Sequence, residues 1–150
     1  NKKLCTIDAV GLIGKKFKNI IVTNFNFLFK IKINNFLKFH MKNKNDISMV
    51  VVQKDFSVPY GVCDIKNHTL KNISEKPKYK FLVNTGMYIL KNSAIKLIKK
   101  NQKLDFDRFI KKAQLNKLRI GTFLISEKNW QDIGEFNKLE DTLNTLSIKE

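Results

Sequence analysis

The chain has 150 residues, 43% of them hydrophobic and 28% charged, with a formal net charge of +16. That length suggests one domain able to bury about two-thirds of its unfolded surface, and no apolar run approaches the roughly eighteen residues of a membrane span. There is no charged-then-apolar signal peptide, and Cys5 and Cys63 fit neither a zinc site nor a disulfide framework, so a reducing, cytoplasmic setting is expected.

The first strand is expected over 18–25, where Ile20, Ile21 and Val22 suit a strand covered on both faces. It stops at the polar stretch Thr-Asn-Phe-Asn (23–26). Asn34 or Asn35 then offers a helix cap ahead of Phe36, Leu37, Phe39 and His40, and 47–53 (ISMVVVQ) is a second apolar strand. Strand, helix and strand in that order predict a parallel pair with a right-handed crossover. Residues 60–65 and 70–74 read as a hairpin about the turn Lys-Asn-His-Thr. Residues 81–90 (FLVNTGMYIL) make a strand interrupted by Asn-Thr-Gly. Helices are expected over 92–100, 105–116 and 135–146, with a strand at 118–125. There is no internal repeat, so the order is that of a single α/β domain with a mixed sheet.

No phosphate-cradling loop is visible. The six glycines form no GxGxxG, and GLIGKK (11–16) lacks the spacing and hydroxyl of a P-loop. His40 and His68 stand alone, and Cys63 reads as a small strand residue. Three stretches carry more chemistry. Ser74-Glu75-Lys76-Pro77 sets an acid beside a base at a strand end: Glu accepts from hydroxyls and Lys meets phosphate as a point charge. An exposed turn is the plainer reading. Asn84-Thr85-Gly86 breaks an apolar strand, as a bulge would. Trp130-Gln131-Asp132-Ile133-Gly134 sets one carboxylate between an aromatic and a glycine, aimed at a ligand or simply preceding a helix.

The positive charge is spread thinly. Residues 1–50 carry ten lysines against two acids and 51–100 ten against three, while 101–150 are nearly balanced. Only Arg108 and Arg119 are arginines, although arginine is preferred for bidentate phosphate and base contacts. A solvated lysine surface is therefore expected, with no specific nucleic-acid partner.

Taken in order, PYGVCDI (59–65), ISEKP (73–77), FLVNTGMYIL (81–90) and ISEKNWQDIGEF (125–136) resemble the sugar-phosphate nucleotidyltransferase family. These enzymes join an NTP to a sugar 1-phosphate, and the flavour is that of the guanylyl- or thymidylyltransferases. Residues 2–26 resemble the family's stretch that ends on a strand with a metal-binding Asp. The resemblance implies a Rossmann-like nucleotide-diphospho-sugar transferase domain with a mixed central sheet, of which residues 1–150 form the middle and C-terminal portion. It also implies roles: Glu75 on sugar hydroxyls, Lys76 on the sugar phosphate, Gly61 allowing close backbone approach, Asn84 holding the sugar, and Asp132 as one of two carboxylates on Mg²⁺. NTP and sugar 1-phosphate are the implied partners, with a homo-oligomer left open. Three departures stand out. The family's Gly-rich loop is absent, its Leu-Gly-Thr-x-Gly falls on Leu4-Cys5-Thr6-Ile7-Asp8, and its first metal Asp falls on Asn26, with Lys30 at a nearby position that is often acidic. Residues 1–150 are accordingly expected to be inactive alone, and a catalytically inactive sugar-phosphate-binding or regulatory module is the second reading.

Overall fold

The computed structural model describes residues 17–99 and 104–134, with Ile7, Val10 and Gly11 from the segment before them. The apolar residues at 20–22 form β1 (Asn19–Thr23), and a short strand β2 (Phe27–Phe29) follows the polar break. Helix α1 (Ile33–Lys42) leads into β3 (Ile47–Ser57). Strands β4 (Val62–Lys66) and β5 (Thr69–Ser74) pair as the expected antiparallel hairpin. Asn67 and His68 at its turn both have positive φ, as a type I′ turn requires. Next come β6 (Lys78–Lys91), α2 (Asn92–Ile95), α3 (Phe106–Leu115), β7 (Ile120–Ile125) and, after a 3-10 turn, β8 (Trp130–Asp132). The helix expected over 135–146 lies outside the described residues.

Among the described residues, β1, β6, β3 and β7 form a mixed sheet in that order. Strand β6 is antiparallel to β1 and β3, and β7 is parallel to β3. The expected parallel pair is thereby corrected: β1 and β3 run in the same direction, but β6 lies between them. Residues 85–90 of β6 are all buried, and such a stretch needs cover on both faces and pairing on both edges. The expected cap is corrected as well. Helix α1 begins at Ile33 after Lys32, with no side-chain cap, and the Asn35 amide donates to the Lys32 carbonyl instead. The helix expected over 92–100 shortens to α2.

Alternating residues divide the core between the two sheet faces. On one face, Ile47, Tyr88 and Leu90 pack with Ala94, Ile95, Phe109 and Ala113 of α2 and α3. On the other, Val50, Val52, Met87 and Ile89 pack with Phe36 of α1. Helices cover both faces of the sheet. Beyond the core, residues 53–57 and 78–82 continue as an exposed antiparallel ribbon. Phe56 and Phe81 meet edge-on along it, 5.6 Å apart, and the β4–β5 hairpin hangs from its end.

Candidate functional site

The parallel strands β1 and β3 deliver their C-terminal ends to one side of the sheet, where open α/β sheets hold ligands. There β1 runs into Asn24, Phe25 and Asn26. The Asn24 amide donates to the Gly86 carbonyl at 3.1 Å, so the end of β1 is tied to the middle of β6. The Asn-Thr-Gly interruption is a bulge, because Met49 pairs with Tyr88 but Val51 pairs with Asn84. Gly86 adopts φ +81°, and a Cβ there would lie 2.7 Å from Asn24 Nδ2 and 3.1 Å from the Phe27 ring. Only glycine fits that conformation and that contact together. Asn84 braces the bulge: its Nδ2 donates to the Tyr88 hydroxyl at 2.7 Å, and its Oδ1 accepts the Gly86 amide at 3.2 Å. The Thr85 hydroxyl donates to the Val50 carbonyl at 2.9 Å. Burial pushes the Tyr88 phenol above its ordinary value, opposed by the bond from Asn84.

Asp132 reaches the same place by a ladder that sequence periodicity did not disclose. Strand β8 pairs antiparallel with β2, setting Asp132 opposite Phe27, and the Ile133 amide donates to the Asn26 carbonyl at 2.9 Å. Each strand has three residues, too few for an alternation to register. The Asp132 carboxylate accepts the Gly134 amide at 2.8 Å, which fixes its rotamer. The Trp130 and Phe27 rings meet at a tilt, 5.3 Å between centroids, with Lys54 Nζ 4.8 Å from the centre of the Trp130 ring. At the other end of this ribbon, about 7 Å along by strand rise, an open cleft of about 380 Å³ is lined by Lys30, Lys32, Asn35, Phe123, Ser126 and Asn129.

The remaining sequence candidates form a second group. A Cβ on Gly61 would lie 3.2 Å from Glu75 Oε2, so hairpin backbone and carboxylate are in close approach. Lys76 follows in a left-handed turn at φ 45°, and both Glu75 and Lys76 are exposed. From Lys78 to Asn84 the ribbon covers about 20 Å of strand. The structure therefore joins Asn26 to the Asp132 strand through backbone bonds, ties the Asn84–Gly86 bulge to the neighbouring Asn24, and sets Gly61 against Glu75, beside Lys76, at the far end of the ribbon.

The donor set decides how a metal fits. Among the described residues no group of three or more His, Cys, Asp or Glu side chains is placed to hold one. The strand end offers one carboxylate, Asp132, and one neutral amide, Asn26. Mg²⁺ favours carboxylates and phosphate oxygens in near-octahedral geometry, so these protein groups do not by themselves make a Mg²⁺ site. No helix among the described residues is long and apolar enough to cross a membrane.

The family model for nucleotidyl transferases matches residues 5–147. The chain belongs to that family. Among solved structures it is similar to HddC from Yersinia pseudotuberculosis, at 25% identity and TM-score 0.56, over 89% of this chain and 59% of that one. The same protein complexed with GMP-PN matches at 24% identity and TM-score 0.56, over the same shares. A Bacillus anthracis protein assigned as a glucose-1-phosphate thymidylyltransferase, solved with a sucrose, matches at 21% identity and TM-score 0.58, over 89% of this chain and 57% of that one. The last two likenesses speak to the nucleotidyl transferase fold alone. This nucleotidyl transferase chain thus spans less than three-fifths of those structures' length. No curated protein matches it.

Proposed function

We propose that this chain serves a sugar-1-phosphate nucleotidyltransferase, moving an NMP group from an NTP to a sugar 1-phosphate. The observation that carries the reading is the meeting of Asn26, the Gly86 bulge and Asp132 at one strand end, in a chain of this family. A phosphate oxygen of the sugar 1-phosphate attacks the α-phosphorus of the NTP. The bond from that phosphorus to the bridging oxygen breaks, and pyrophosphate leaves with the electron pair. Nothing in this reaction needs a protein nucleophile, so catalysis is positioning and charge neutralisation. Lys76 meets the sugar phosphate as a point charge, Glu75 accepts from sugar hydroxyls, and Gly61 lets the hairpin backbone approach. Asn84 stiffens the bulge at the strand end, and the exposed ribbon has to curl over that end for the Gly61, Glu75 and Lys76 group to reach the same substrate. Asp132, held by the Gly134 amide, orients polar groups at the strand end, and Lys30 and Lys32 line a cleft suited to phosphate.

One observation favours a second reading, a sugar-phosphate-binding module that does not transfer. Asn26 is neutral at the place where the family resemblance puts a metal-binding acid, and Lys30 adds a positive charge nearby. Pyrophosphate release by the full-length natural protein, measured over NTP and sugar 1-phosphate pairs, separates the two. Release that falls at least tenfold in Lys76→Gln and in Asp132→Asn supports transfer. No release with any pair, and none restored by Asn26→Asp, rejects it.

A further inference from the structure

A second cleft, of about 270 Å³, opens at the other end of β1, lined by Lys18, Asn19, His40, Lys44, Asn45 and Lys91 among others. The topology assembles it. Asn19 at the start of β1 pairs with Lys91 at the end of β6, and the turn after α1 brings in Lys44 at φ 51°. Five-residue β1 separates this cleft from the Asn24–Asn26 end by about 13 Å, so the two places are distinct.

Its charges are one-sided. Three lining side chains are ammonium groups and none is a carboxylate. The nearby acid is Asp46, already engaged by the Arg119 amide at 2.9 Å, by the Ser93 hydroxyl and by Lys91 Nζ at 3.8 Å. Among the described residues neither Lys18 nor Lys44 pairs with a carboxylate. His40 is only 2% exposed, with Nδ1 2.9 Å from the Ser48 hydroxyl, which also accepts from Asn45 Nδ2 at 3.0 Å. Burial, and then the Lys91 charge, hold its pKa below the ordinary value, with Asp46 opposing. The Asn19 side-chain oxygen is buried without a hydrogen-bond partner. The like charges of the three lysines raise the free energy of the cleft, and an anion relieves it; the Asn19 oxygen, an acceptor, calls instead for a donor such as a hydroxyl.

We propose that this cleft is an anion site for a phosphate group, taken as free phosphate or as a small phosphate monoester. Lysines recognise phosphate as point charges. The volume falls just below the roughly 300–1,000 Å³ of pockets for drug-sized ligands, which suits a phosphate with a few further atoms better than a whole nucleotide. On a turn of its side chain, Asn19 accepts from an ester's hydroxyl.

His40 is the reporter. In a His68→Gln background it is the chain's one imidazole, and its NMR titration is followed with inorganic phosphate or glycerol 3-phosphate, at constant ionic strength against sodium chloride. Each phosphate is expected to raise the His40 pKa saturably. Lys18→Gln with Lys44→Asn, both at exposed positions, should weaken that binding about tenfold, while Lys76→Gln leaves it unchanged. Tighter binding of glycerol 3-phosphate supports an ester ligand, and equal binding supports recognition of the phosphate group alone. No displacement of His40, the same displacement by chloride, or unchanged affinity in the double variant overturns the proposal.

Discussion

Gly86→Ala probes the bulge that joins the ends of β1 and β2 to the centre of the sheet. At φ +81° an alanine sits in the left-handed region, which costs about 1–2 kcal/mol. Its Cβ would also stand 2.7 Å from Asn24 Nδ2 and 3.1 Å from Phe27 Cε2. Both neighbours are packed, and displacing them adds about 1–3 kcal/mol. The restricted unfolded chain returns about 0.4–1 kcal/mol. The expected net loss is about 1–4.5 kcal/mol, centred near 3, a fall of about 1.5 M in the urea midpoint at a slope near 2 kcal/mol/M. An alanine variant within about 0.5 kcal/mol of the parent, with unchanged slope, would refute the reasoning, because surface substitutions away from special features fall in that range.

Asn26→Asp sets a second carboxylate beside Asp132 and should tighten Mn²⁺ binding, a stand-in for Mg²⁺, at least about tenfold by electron paramagnetic resonance; unchanged affinity would mean that position 26 does not face a cation. His40, with its pKa lowered by burial and by Lys91, makes stability pH-dependent. Below pH 6.5 the unfolded chain binds the proton more readily, so this contribution is whole above pH 6.5 and is lost as pH falls towards the depressed folded value. His40→Gln should flatten that part of the urea-midpoint profile, and an unaltered slope there would show that another group titrates. Burial raises the Asp46 pKa, but Ser93, the Arg119 amide and Lys91 outweigh it and lower the value overall. Asp46→Ala should cost about 1–2 kcal/mol by stranding those donors, and a smaller loss would show that water replaces the carboxylate.

The apolar strands and both amphipathic helices were legible because burial imposes a period of two or about 3.6 residues. Val50, Val52 and Phe36 announce themselves in that way. The place of β6 between β1 and β3 was not legible, since periodicity reports which faces are covered and is silent on which strand lies alongside. The start of α1 at Ile33, after Lys32, was missed because helix ends follow the backbone bond actually made, here Asn35 to Lys32, over side-chain preference. At the site, the Thr-Asn-Phe-Asn break and the Asn-Thr-Gly interruption marked the right segments. Their union needed the β2–β8 ladder, and three-residue strands leave no pattern in a sequence. The closeness of Gly61 to Glu75 was foreshadowed by the hairpin. The ribbon separating them from Asn84 was not, because strand lengths of eleven and fourteen residues exceed the apolar runs that signal them.

The central claim is transfer of a nucleotidyl group to a sugar phosphate, and following the α-phosphorus tests it most directly. With the full-length natural protein, NTP labelled at the α-phosphate and a hexose 1-phosphate, the account predicts label in a nucleotide-sugar, dependent on both substrates and at least tenfold lower in Lys76→Gln. Label that stays in the NTP with every nucleotide and sugar tried, and also in Asn26→Asp, would contradict it.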